Sequence, residues 1–299
     1  MPHVNANGLD LYYESHGPED AEPILLIMGL GAQMSRWSTQ MIDKLVAAGH
    51  RVIAYDNRDV GLSEKLDAAG TPDMHEVAIA MRDGKRPPVS YTLDHMAADA
   101  AGLLDELGVE RAHIVGASMG GMIAQLVAAD FPSKTLSLTS IMSTTGNQAL
   151  PRATPEALAR LNTPAPDPTK DLDGFLDSAV AGAKVMGGSY PVDEATVRAQ
   201  SLSDFKRCYY PVGFQRQYAA VVASPDRRPK LKTITAPTVV IHGDADPLVP
   251  VDGGRDTAAN IPGAELIVVP GVGHEMPAAV LDQFVDGILS AVSRSRVSA

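Results

Sequence analysis

Ala112-His113-Ile114-Val115-Gly116-Ala117-Ser118-Met119-Gly120-Gly121 reads as a short apolar strand, a serine flanked by glycines, and the opening of an apolar helix. Residues 116–120 fit G-x-S-x-G, a sharp strand-to-helix turn that lifts a serine hydroxyl to the end of a sheet. The glycines make the turn possible, because a Cβ at 116 or 120 would crowd the helix as it packs back on the strand. The pentapeptide alone says little in a chain with 26 glycines. Its place between a strand and the apolar run Met119–Asp130 gives it weight. Ser118 is therefore the expected nucleophile, against the plainer reading of a glycine turn without chemistry.

Outward from this turn, short apolar runs recur at Ile24–Met28, Arg51–Tyr55, Leu136–Met142, Thr238–His242 and Glu265–Val269. Their length and β-branched content predict strands buried on both faces. Between them lie helical patterns at Ser35–Ala48, Leu93–Leu107, with Thr92 as N-cap, and Pro277–Val292. The alternation predicts an α/β architecture, a doubly wound and mostly parallel sheet. Residues 2–16 read as a hairpin turning at Asn7-Gly8. Residues 145–232 break the pattern: they hold 9 of the 22 prolines and no convincing strand. The expected organisation is a core from 1–144 and 233–299, with 145–232 inserted as a helical cap. A second insertion, 66–90, reads as a long connection with one short helix near Met74–Met81, of the kind that forms lids.

Composition narrows the partners. The chain has 299 residues, 25 Lys plus Arg and 36 Asp plus Glu, a net charge of -11. Nucleic acid and anionic membranes attract basic surfaces, so neither is expected. The single Cys208 allows no internal disulfide and no cysteine pair for zinc. No signal peptide or membrane-spanning run is visible, so the expected compartment is the cytoplasm. No metal or organic cofactor is expected. Residues 145–232 carry +3 and the remainder -14, a difference that could favour a substrate with an acidic end.

A serine hydroxyl needs a base within hydrogen-bond reach. Of eight histidines, His274 stands apart. It follows Glu265–Val269 through Pro270-Gly271-Val272-Gly273 and precedes a helix, a position from which a side chain reaches across a sheet edge. An imidazole base needs an orienting carboxylate. Asp244 and Asp246 both follow the strand Thr238–His242, and Asp246 is favoured because Asp244 lies closer to the strand end. Backbone donors for an oxyanion are expected from Met119, after the serine, and from Leu30 in Met28-Gly29-Leu30-Gly31. Met28, Met34, Met142 and Met276 fall near these segments and could line an adaptable acyl pocket. Asp56 and Arg58 are expected to tie the loop after Arg51–Tyr55 beneath the site.

These motifs in order, with Tyr55-Asp56-Asn57-Arg58-Asp59-Val60-Gly61-Leu62-Ser63, resemble an α/β-hydrolase of the serine esterase type with a helical cap. The chain order Ser, Asp, His matches that superfamily. Met28 before the oxyanion glycine, Asp59 after Arg58, and the position of Trp37 resemble the branch that includes aclacinomycin methylesterase. The resemblance implies the α/β-hydrolase fold and ester cleavage through an acyl-enzyme on Ser118. A small-molecule ester is the expected partner; no oligomeric state follows. The same three residues could cleave a lactone or a C–C bond, or transfer an acyl group to an alcohol or peroxide, and a ligand receptor with little turnover belongs to another class.

Overall fold

The computed structural model describes residues 2–297. Asn7-Gly8 joins β1(His3–Ala6) to β2(Leu9–His16), with Ala6 opposite Leu9. The other strands are β3(Pro23–Ile27), β4(Arg51–Tyr55), β5(Ala112–Ala117), β6(Thr135–Ile141), β7(Thr238–Gly243) and β8(Glu265–Val269). They form one sheet in the order β1-β2-β4-β3-β5-β6-β7-β8. β2 meets β4 antiparallel, and from β4 onward every neighbouring pair is parallel. Alternate residues of β3 point to opposite cores. Leu25 and Ile27 pack with α3(Leu93–Glu106) and α4(Met119–Asp130), while Ile24 and Leu26 pack with α1(Thr39–Ala47) and α11(Leu281–Val297). Burial on both faces is why these strands read as unbroken apolar runs.

Boundaries moved where a side chain intervened. The expected helix Ser35–Ala48 is a 3₁₀ turn, Met34–Arg36, followed by α1. Ser38 divides them, its hydroxyl accepting from the Met41 N–H at 3.2 Å as an N-cap. One helix was missed altogether. α10(Asp252–Asn260) contains Gly253-Gly254, which reads as a turn. A Cβ at Gly254 would stand 2.5 Å from His242 Nδ1, so packing against β7 requires glycine there despite its poor helix propensity. α11 runs five residues past the expected Val292.

Between β6 and β7 lie α5(Pro155–Asn162), α6(Leu172–Met186), α7(Glu194–Arg207), α8(Pro211–Val222) and α9(Arg228–Leu231). Residues 66–90 hold a 3₁₀ turn and α2(Met74–Arg82). Among the described residues no helix is long and apolar enough to cross a membrane.

Buried ion pairs hold these segments on the sheet. Arg216 of α8 grips Asp59 through two bonds of 2.8 and 2.6 Å, both side chains essentially inaccessible. Arg207 of α7 lies 2.7 Å from Asp56. Arg58 does not pair with Asp56; it makes two 2.6 Å bonds to Asp99 on α3. Removing one member of a buried pair leaves a bare charge and typically costs about 3–5 kcal/mol. Arg216→Met is expected to lose that much stability in urea denaturation, and Asp59→Leu combined with Arg216→Met to recover most of it. Equal loss in both variants would show that something other than the bare carboxylate sets the cost.

Candidate active site

β5 ends at Ala117, and Ser118 takes φ 57° and ψ -119° before α4 begins. A non-glycine residue there costs about 1–3 kcal/mol and persists only where its surroundings over-determine it. They do so here. A Cβ on Gly116 would lie 2.0 Å from the Gly120 carbonyl oxygen, and one on Gly120 would lie 2.0 Å from that of Ile27. Helix and strands are as close as backbones allow, so the chain between them must turn at one residue.

The loop after β8 delivers His274. The His274 N–H donates to the Met186 carbonyl at 2.7 Å, and the Gly271 N–H donates to Asp244 Oδ1 at 2.6 Å. Asp244 thus fastens one loop to the next. His274 Nε2 stands 2.9 Å from Ser118 Oγ, and Nδ1 2.7 Å from Asp246 Oδ2. A carboxylate only accepts, so Nδ1 carries the hydrogen and Nε2 is left to accept from the serine. Asp246 Oδ1 accepts the Leu248 and Val249 N–H groups at 2.9 and 2.8 Å. His242 Nε2, which donates to the Val249 carbonyl at 2.7 Å, lies 3.5 Å from Asp246 Oδ2. Burial pushes the Asp246 carboxyl up, but His242, His274 and the Val249 N–H outweigh it and hold the pKa at about 2. His242, at the end of β7, is therefore part of the electrostatics of Asp246.

The turn Met28–Gly31 lies against Ser118: a Cβ on Gly29 would be 3.1 Å from the serine Cβ. Among the described residues neither the Leu30 nor the Met119 N–H is paired with a protein acceptor. Neighbours of this turn are fixed from below and above. Asn57 Nδ2 donates to the Met28 carbonyl at 2.9 Å, and Asp56 Oδ1 accepts the Met34 N–H at 2.8 Å. Gln217 on α8 accepts the Gly31 N–H at 2.8 Å and donates to the Arg58 carbonyl at 2.7 Å.

Ser118 and His274 open on a cavity of about 490 Å³. Met28, Met142 and Met276 line it, joined by the unforeseen Met122. Met34 does not: it is 4% exposed and packs with Trp37 and Met41 in the core. Leu158, Leu161, Tyr218 and Val221, from α5 and α8, form its far wall. The charged residues in the lining are Arg36, paired with Asp204, and Glu275, whose carboxyl is pushed up by burial. No Lys or Arg of 145–232 is among the described residues that line this cavity, and two of them, Arg207 and Arg216, pair with Asp56 and Asp59. A second cavity of about 450 Å³ shares Leu30, Ala32 and Arg36 with the first and is walled by Phe175, Phe205, Tyr209 and Phe214. Aromatics are only 5% of the chain, yet these cluster here.

Residues 22–277 match the family model described as the alpha/beta hydrolase fold. The chain belongs to that family. A rhodomycin D methylesterase of Streptomyces peucetius is 28% identical over 93% of both chains, in keeping with the resemblance carried by Met28 and Asp59. A 2-hydroxy-6-oxononadienedioate/2-hydroxy-6-oxononatrienedioate hydrolase of a Pseudomonas species is also 28% identical, over 91% of this chain and 88% of its own. Among solved structures, an N-acyl homoserine lactone degrading enzyme superposes with a TM-score of 0.66 at 29% identity, covering 95% of this chain and 98% of its own. The relatives of this α/β hydrolase thus include esterases, lactonases and C–C hydrolases, and a haloperoxidase also matches.

Some of the hydrolase's site could not be read in advance. Gln217 and Arg216 meet the loop after β4 from more than 150 residues away in sequence, and no local pattern marks them. Glu275 had a signal, since it directly follows His274. The Asp246 pair carries a pH signature. Its folded pKa of about 2 lies below the unfolded value of about 3.9, so the stability it lends is present above about pH 4 and is lost as pH falls through 2. The difference is about 2–3 kcal/mol. Wild type should therefore exceed Asp246→Asn in unfolding free energy at pH 6, with the gap narrowing by about two-thirds of that amount by pH 2.5. A gap independent of pH would mean that the carboxylate charge contributes nothing there.

Proposed function

We propose that this hydrolase cleaves carboxylic esters of small, largely apolar molecules through an acyl-enzyme on Ser118. Support comes foremost from the unbroken hydrogen-bond sequence from Asp246 through His274 to Ser118 Oγ, opening on an apolar cavity. Ser118 attacks the ester carbonyl while His274 Nε2 takes its proton. Asp246 holds the imidazole in the Nδ1–H tautomer and stabilises the imidazolium. The Leu30 and Met119 N–H groups receive the oxyanion, each donor being worth on the scale of 3–4 kcal/mol. His274 then protonates the leaving alcohol, and water repeats the sequence to free the acid. In this reading 145–232 is the cap that supplies the far wall and sheds water from the reacting bond. A cavity of about 490 Å³ suits a ligand of modest size.

A second reading, lactone hydrolysis, is favoured by the likeness to the lactone-degrading structure. It uses the same residues, because a lactone is an ester whose leaving alcohol stays tethered to the acyl group.

Ser118→Ala should lower hydrolysis of short-chain p-nitrophenyl esters at least about 10³-fold with folding intact. A fluorophosphonate should label wild type and not this variant. Undiminished turnover in Ser118→Ala would move the nucleophile elsewhere. Glu275 faces the cavity, and among the described residues no cation pairs with it. At pH 8 a half-ester bearing a free carboxylate should show a higher KM than its neutral analogue, and Glu275→Gln should narrow that gap. An unchanged ratio would remove Glu275 from specificity.

A further inference from the structure

At the opposite end of the same strands, the segments entering the sheet bring together Glu22, His50 and His113. Glu22 immediately precedes β3, His50 immediately precedes β4, and His113 is the second residue of β5. These three strands are neighbours in the sheet. One ligand atom from each residue falls within 4.8 Å of the others. Both imidazoles are buried, His50 at 2% and His113 at 0% exposure.

The orientation of the rings is more telling than their proximity. His50 Nδ1 lies 3.1 Å from the Glu22 carbonyl, which only accepts, so Nδ1 carries the hydrogen and the Nε2 lone pair is free. His113 Nδ1 is 2.8 Å from Ser137 Oγ. A metal-binding histidine is held in this manner, with its far ring nitrogen tied to a carbonyl or polar side chain. His113 Nε2 is fully buried and, among the described residues, has no well-aligned hydrogen-bond partner. A buried polar atom left unpaired costs about 1–3 kcal/mol. It stands 3.2 Å from Glu22 Oε2, and two ligands about 2.1 Å from a tetrahedral zinc lie about 3.4 Å apart.

We infer that Glu22, His50 and His113 form a site for a divalent cation of the zinc class, which cross-links the entering ends of three adjacent parallel strands. Nitrogen and carboxylate ligands suit zinc, and three of them leave the fourth position to water. Arg296 also contacts Glu22 Oε2, at 2.7 Å, with its side chain 60% exposed. Such a surface pair contributes little, about 0–1 kcal/mol. Binding frees this arginine to solvent or shifts the metal to Oε1. The role is structural, since His113 precedes Ser118 by five residues of extended chain, about 16 Å along the strand.

The test is titration of the full, chelator-treated chain with ZnCl₂ in a calorimeter. One equivalent should bind, raise the thermal midpoint and leave p-nitrophenyl ester hydrolysis unchanged. Glu22→Gln and His50→Gln should each weaken binding at least about 100-fold. CoCl₂ on wild type should develop visible absorption of a tetrahedral centre, a reading that needs no variant to fold. No stoichiometric uptake, uptake undiminished in both variants, or inhibition that tracks binding and so puts the metal on His274, would each overturn the inference.

Discussion

The close approach of α4 to β5 and β3 is the constraint on which the site depends. Two positions without a Cβ, Gly116 and Gly120, let backbone touch backbone. The turn between strand and helix is then forced into the left-handed conformation of Ser118. Strain of this kind is stored at functional sites and offset by the packing around it. Here the surroundings are an almost wholly buried helix and a sheet covered on both faces. A looser helix would relax Ser118 and withdraw its hydroxyl from His274.

Around that fixed point, polar groups are arranged so that none of the buried charges of the β4 loop is idle. Asp56 receives the Met34 and Leu62 N–H groups and Arg207; Asp59 receives the Leu66 N–H and Arg216; Arg58 holds Asp99. In a low-dielectric interior such a network is worth having only when complete. Arg207 Nη2 alone of these charged groups' atoms is buried without a partner among the described residues; the other bonds tie the loop beneath the serine to the turn that carries Leu30. On the other flank, Asp246 is held by two backbone N–H groups and two histidines. That keeps its carboxylate charged at neutral pH.

The parallel strands and the elbow were legible because each signal is local. An apolar run of four to seven residues buried on both faces has few alternatives, and G-x-S-x-G announces its own turn. His274 and Asp246 could be proposed from their places after successive strands. What escaped were features decided by distant contacts. α10 hides behind a glycine pair that only its packing on His242 explains. Met34 was placed at the pocket by sequence proximity, whereas the 3₁₀ turn Met34–Arg36 directs it into the core. The aromatic wall of the second cavity is drawn from α6, α7 and α8 and the turn between α7 and α8, and composition alone dilutes it to invisibility.

The pairs Asp56–Arg207 and Asp59–Arg216 join two stretches of chain roughly 150 residues apart. Each is a lock whose key lies in another part of the gene. A helical segment lacking these arginines would leave two carboxylates stranded in the interior; a change in the loop alone would strand the arginines. A substitution that removes Arg207 or Arg216 therefore calls for a matching change at Asp56 or Asp59, a requirement these two pairs do not impose on α5 or α6.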